Sequence, residues 1–253
     1  MKHQKIAFDL PISGKALDFI KIMAALYMII DHINTVILMP FDLFDDNLMY
    51  IGRGSFPLFC FATACAMHRC KSSKAGEYAI QLLILALITH PIAYHAHNYA
   101  AGNVLFTLAA GAAFCRFYPH FNRFFQTLIC LWAIYSAFIP VPIEFGFAGV
   151  MMPALMLLFI QGDKISGFWL FIMIYFSNAS GSMDVAFAYP EAFMIKTFYI
   201  FIFATLIPFF TLKVAQALPK DGRYLHRYAL QVFYPGHLLL FAIIAGVGKI
   251  LFL

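Results

Sequence analysis

Asp31 and His32 stand side by side inside LDFIKIMAALYMIIDHINTVILM (Leu17–Met39), an apolar run long enough to cross a bilayer. A charged side chain near mid-membrane costs about 2.5–3.5 kcal/mol on insertion scales, so such residues pair with something or do work. Desolvation favours the uncharged imidazole, and a neutral imidazole accepts protons near neutral pH. His32 is therefore a candidate general base, with a helix-packing hydrogen bond as its plainer reading. Neighbours along a helix do not face one another, so Asp31 is expected to pair with Arg53 rather than to orient His32. Arg53 opens the next apolar run in IGRGSFPLF, where Gly52 and Gly54 permit close backbone approach and Pro57 permits a kink. A guanidinium so placed can stabilise an oxyanion or bind a carboxylate or phosphate; its plainer reading is a counterion.

Lys21 lies eleven residues before His32, so both project from one helix face with about 16 Å of rise between them. A cation at that level suits a phosphate-bearing ligand, and snorkelling to the interface is the plainer reading. His237, in VFYPGHLLL with Tyr234, follows Pro235 and Gly236, which loosen a helix and expose its carbonyls. By helical rise, Asp31 and His32 lie about 22–24 Å from the start of their run. Arg53, His90, Tyr94, His95, His97, Asn103 and Glu144 are expected at a similar, outer level, and Lys21, Tyr234 and His237 in the inner half. The three clustered histidines lack a partner set with metal-ligand spacing, so no metal site is expected. The five cysteines form no CxxC pair and read as small hydrophobes. No GxGxxG, P-loop, HExxH or GxSxG pattern occurs.

The elements that must position these residues follow from composition. The 253 residues are 63% hydrophobic and 11% charged, far from a soluble domain's usual balance. Nine apolar runs are expected as membrane helices, at about 16–39, 52–68, 77–95, 103–116, 124–141, 146–161, 166–179, 191–212 and 229–251. No dyad alternation argues for a barrel. The fold class is thus all-α, a polytopic helical membrane bundle forming one domain over residues 1–253. Basic and non-basic connections alternate, from Lys2, Lys5 and Lys15 through PFDLFDDN to KVAQALPKDGRYLHR, which puts the N-terminus in the cytoplasm. The net charge of +5 is distributed as an orientation signal, so no nucleic-acid partner is expected. The first run is too long for a cleavable signal peptide.

Five stretches resemble the TraX family, membrane proteins associated with N-terminal acetylation of conjugative pilin. They are IKIMAALYMIIDHI (Ile20–Ile33), IGRGSFPLFCF (Ile51–Phe61), NVLFTLAAG (Asn103–Gly111), EFGFAGVMMPALM (Glu144–Met156) and YALQVFYPGHLLL (Tyr228–Leu240). The family is similar to a wider group of transmembrane acyltransferases, in which a basic residue and a histidine lie eleven apart on the first core helix. Lys21 and His32 hold those positions, with lysine where arginine is usual and hence no bidentate fork. The resemblance implies an acetyltransferase of the bacterial inner membrane, surrounded by lipid, that uses acetyl-CoA as co-substrate. It implies His32, Asp31 and Arg53 as catalytic residues and Lys21, Tyr234, His237 and Asn103 as the cofactor side. The pilin subunit is the implied acceptor, approaching from the outer side, and a direct transfer and an acetyl-histidine relay both stay open. Asn178-Ala179-Ser180, a sequon-like triplet, has no meaning in such a membrane. Two rival readings remain: an acyltransferase of a cell-envelope sugar or lipid, and a transporter or scaffold using Asp31, His32 and Arg53 as a relay or structural pair.

Overall fold

The computed structural model describes residues 14–70, 72–97, 102–139, 143–179, 190–219, 221–226 and 228–252. Lys2, Lys5, Ser180 and the side chains of His95 and His97 lie outside the described residues. Ten α-helices follow one another there: α1 Gly14–His32, α2 Asp46–Gly52, α3 Ser55–Arg69, α4 Ser72–His97 and α5 Val104–Phe117, then α6 Arg123–Ser136, α7 Gly146–Ile160, α8 Lys164–Ala179, α9 Pro190–Gln216 and α10 Ala229–Phe252. Among the described residues the only strand-like pairing is an isolated parallel bridge between Gly102 and Ile143.

The nine helices other than short α2 coincide with the nine apolar runs. Two are long and apolar enough to cross a membrane on length and composition, Gly76–Tyr94 within α4 and Thr197–Gln216 within α9. Gly146–Ile160 and Ala229–Ile244 are apolar but shorter. A hydrocarbon core needs about 20 helical residues, and α5 and α6 have 14 each. The outer surface is strongly apolar: Ile80, Leu83, Ile84, Leu87 and Ile88 make an exposed stripe along α4. A contiguous face of that kind is not one a protein keeps in water.

Helix α7 is the hub. Its sequence GFAGVMMPALMLLFI is apolar all round, and it is buried on nearly every side against α3, α5, α6 and α8. Helix α1 packs on α2, α3 and α9, while α10 packs on α4 and on the chain just after α1.

Two irregularities shape the far end of α1. After His32 the chain becomes a π-helix, Ile33–Leu38, followed by a tight turn at Met39–Phe41. Single π segments inside helices often mark functional sites, because the extra residue re-aims the side chains around it. The Asn34 amide fixes the exit: Nδ2 donates to the Asp45 carbonyl at 2.6 Å, and the Asp45 N–H donates to Oδ1 at 2.8 Å. The Asp45 carboxylate in turn caps α2 by accepting from the Asn47 N–H at 2.7 Å. The second irregularity lies at Gly52–Arg53–Gly54, where α2 ends and α3 begins. Pro57 falls in the first turn of α3, where a missing N–H removes no helical bond. The kink expected within one span is instead a break between two helices, with Arg53 in the break.

Candidate active site

Four ionisable side chains converge on one cleft. Asp31 and His32 come from the last turn of α1, Arg53 from the α2–α3 break and Glu144 from the connection before α7. The cleft is narrow, with about 30 Å³ of room at the scale of a water molecule, and partly open to the outside; Met28, Phe56, Phe59, Val104 and Phe145 supply apolar walls.

Each polar member is held by local structure. Gly52 lets α2 close on Asp31: a Cβ there would sit 2.5 Å from Asp31 Cβ and 2.7 Å from its Oδ1. Asp31 Oδ1 and Arg53 Nε are buried, and neither has a hydrogen-bond partner. The expected Asp31–Arg53 ion pair is therefore not formed among the described residues, although both face the cleft. Its reason is positional: the close approach to Asp31 is made by the Gly52 backbone, and Arg53 is within electrostatic reach of Glu144. Such groups can donate to and accept from a polar ligand.

Glu144 is placed by backbone geometry. Its N–H donates to the Gly102 carbonyl at 3.0 Å, and its own carbonyl accepts from the Thr107 hydroxyl. Phe145 and Gly146 follow with φ of 63° and 57°. A positive φ at phenylalanine is strained, and it is held by stacking on Phe56 at 3.9 Å between ring centroids. Burial pushes the Glu144 carboxyl up to about 7 from an ordinary 4.5; the Asp31 charge adds to the rise, and Arg53 and a hydrogen bond from the Val104 N–H oppose it.

His32 meets a residue expected elsewhere. Its Nδ1 lies 2.9 Å from His237 Nε2, with the two ring planes within 3° of each other. Tyr234, one turn earlier on α10, is buried and within electrostatic reach of Glu144. The inner-half placement of His237 and Tyr234 is thus corrected. The cause is Asp18, whose buried carboxylate accepts from the N–H groups of Tyr224 and Leu225, each at 3.0 Å. That anchor sets the chain entering α10 level with the first turns of α1, and α10 then climbs to meet the chain at the far end of α1. His32 is fourteen residues past Asp18 and His237 twelve past Leu225, so the imidazoles arrive at one level.

The other expected residues are not in the cleft. Lys21 stays near the start of α1, with Nζ 3.5 Å from Asp18 Oδ1 and Arg69 and Arg223 within electrostatic reach. Arg223 Nε is also 3.5 Å from Asp18. Asn103 has a structural job: Oδ1 caps α5 by accepting from the Leu105 N–H, and Nδ2 donates to the Ala86 carbonyl and the Thr89 hydroxyl oxygen. His90 packs edge-on against Phe106. Sequence reasoning did not assign Glu144 to the site or see Asp18 at all. The signal for Glu144 was its isolation as the one acid in a proline-bounded connection, PVPIEFG. Among the described residues, no three of His, Cys, Asp or Glu gather as a metal-binding group.

The family model described as TraX protein matches residues 16–245, which takes in every residue of the cleft. The chain belongs to the TraX family. Comparison with curated proteins gives no match, and comparison with solved structures gives none. TraX membership associates the chain with conjugation and its pilin. It also agrees with the apolar outer surface of the helical bundle in making the chain a membrane protein. The matched range includes Asp18 and Lys21 as well as His32, so the Asp18–Lys21 cluster and the cleft lie within one TraX unit.

Proposed function

We propose that this TraX-family chain is a multi-pass acetyltransferase of the bacterial inner membrane, moving an acetyl group from acetyl-CoA to the N-terminal amine of conjugative pilin. The observation that carries the reading is the convergence of Asp31, His32, Arg53 and Glu144 on one cleft inside a TraX chain. The N-terminus faces the cytoplasm, and acetyl-CoA binds with its anionic end toward Lys21, Arg69 and Arg223. Its long arm brings the thioester toward His32, about 16 Å along α1. The acceptor amine arrives from the outer side, where the Asp31 carboxylate suits a cation and the Glu144 carboxyl offers a hydrogen-bond partner.

An α-amine has a reference pKa near about 7.7–8.0, so part of it is already neutral and nucleophilic. As its nitrogen attacks the thioester carbonyl, His32 takes the proton and Arg53 faces the developing oxyanion. The C–S bond breaks, and the thiolate leaves with the proton returned from His32. His237 supports the cleft from behind through His32, Tyr234 packs edge-on against His237, and Asn103 shapes the cleft by fixing the start of α5.

The test is co-expression of the intact protein, or its His32→Ala variant, with a pilin precursor at matched membrane levels. The mass of mature pilin is then read. One acetyl group added at the pilin N-terminus by wild type and not by the variant is the expected result. Acetylation by both would remove His32 from the mechanism. Acetylation by neither would sink the pilin reading, and acetyl-CoA turnover with sugar or lipid acceptors would then separate an enzyme from a transporter or scaffold.

A further inference from the structure

The geometry points to His237 as the residue that fixes His32 in one tautomer, with its proton on Nδ1 and its lone pair on Nε2. The Phe233 carbonyl oxygen only accepts, and it lies 3.0 Å from His237 Nδ1, so that nitrogen carries a hydrogen. A neutral imidazole has one N–H, which leaves the lone pair of His237 on Nε2. His32 Nδ1 is 2.9 Å from that lone pair and must therefore donate to it. The remaining nitrogen of His32, Nε2, is then the proton acceptor. The order of donors is set from a backbone carbonyl and passed through two rings, a common way for a second residue to choose the working nitrogen of a histidine.

Packing holds the rings to this arrangement. Phe233 stacks on His237 with centroids 4.8 Å apart, and Phe241 stands edge-on to both imidazoles at 6.3 and 5.9 Å. His237 is 7% exposed, so water does not compete for its nitrogens. Asp31, Arg53 and Glu144 are the charged groups that line the cleft with His32. When Nε2 accepts a proton, the positive charge on His32 sits against the His237 lone pair, which shares the Nδ1 proton and lowers the energy of the charged ring. In the acetyl transfer proposed above, the amine's proton goes to His32 Nε2 and then to the CoA thiolate sulfur. That step rests on the proposed reaction; the tautomer does not. His237 is accordingly a positioning residue that need not touch the substrate.

The test is nitrogen-15 spectroscopy of histidine-labelled full-length protein in lipid nanodiscs, with His32 assigned by its loss in His32→Ala. Wild type is expected to show His32 protonated at Nδ1 and bare at Nε2. His237→Phe is expected to shift His32 toward the other tautomer and to lose on the order of 10²-fold in acetyl transfer. His237→Gln, whose carbonyl can accept from Nδ1, restores the wild-type signature and most of the rate, which separates tautomer control from folding. A wild-type His32 protonated at Nε2, or a tautomer unchanged in His237→Phe, would overturn the assignment. A wild type with the expected signature and no transfer to pilin would overturn the substrate reading alone.

Discussion

A carboxyl that holds its proton to about pH 7 is an uncommon thing to keep beside an arginine, and Glu144 does so because burial and Asp31 together outweigh Arg53. Its effect on stability has a definite sign. The folded chain keeps a proton that the unfolded chain releases, so stability falls as pH rises from about 4.5 to about 7 and stays reduced above that. The full effect is roughly 3 kcal/mol at about 1.4 kcal/mol per pH unit. Thermal midpoints in detergent are therefore expected to drop between pH 5 and pH 8 more in wild type than in Glu144→Gln; parallel pH curves would refute this. At this scale Asp31, His32 and Arg53 were legible because ionisable groups in apolar runs stand out. Glu144 was legible only as to its level, since nothing local says that its carboxyl reaches a site built 113 residues earlier in the chain.

Among the elements, the apolar runs foretold the nine long helices because burial and chain polarity both act on hydropathy. They did not foretell the π-helix at Ile33–Leu38 or the break at Arg53, which depend on hydrogen-bond register and close approach rather than on hydropathy. The level of α10 was also hidden, since it is set by Asp18 and not by where apolar residues begin. Asp18→Ala is therefore expected to act at a distance. It strips two backbone N–H groups and the charges of Lys21 and Arg223 of their shared partner. Removing one member of a buried pair typically costs about 3–5 kcal/mol, and partial exposure of Lys21 and Arg223 puts this one at the low end. Limited trypsin digestion should cut after Arg223 several times faster in the variant, and the His32 tautomer signature should weaken with it. Unchanged cleavage would mean that the anchor does not hold the segment.

For the whole molecule, the charge pattern and the fold make a joint statement about sidedness. Leu43, in the acidic connection after α1, and His120, in the basic connection after α5, are both exposed, and the charge alternation predicts them on opposite faces of the membrane. With Cys70 replaced, Leu43→Cys is expected to react with a membrane-impermeant maleimide in intact cells, and His120→Cys only after lysis. The reverse pattern would invert the proposed routes of acetyl-CoA and pilin. The contact between α1 and α10 also bears on how the protein is made. These are the first and last of the described helices, and His32 meets His237 only across that seam. A ribosome will have made α1 through α9 before the second imidazole exists. A nascent chain paused at Gln216 holds Asp31, Arg53 and Glu144 but not the ring that sets His32. Synthesis itself thus acts as a timer: in the proposed transfer, His32 gains its fixed tautomer only once α10 is in place.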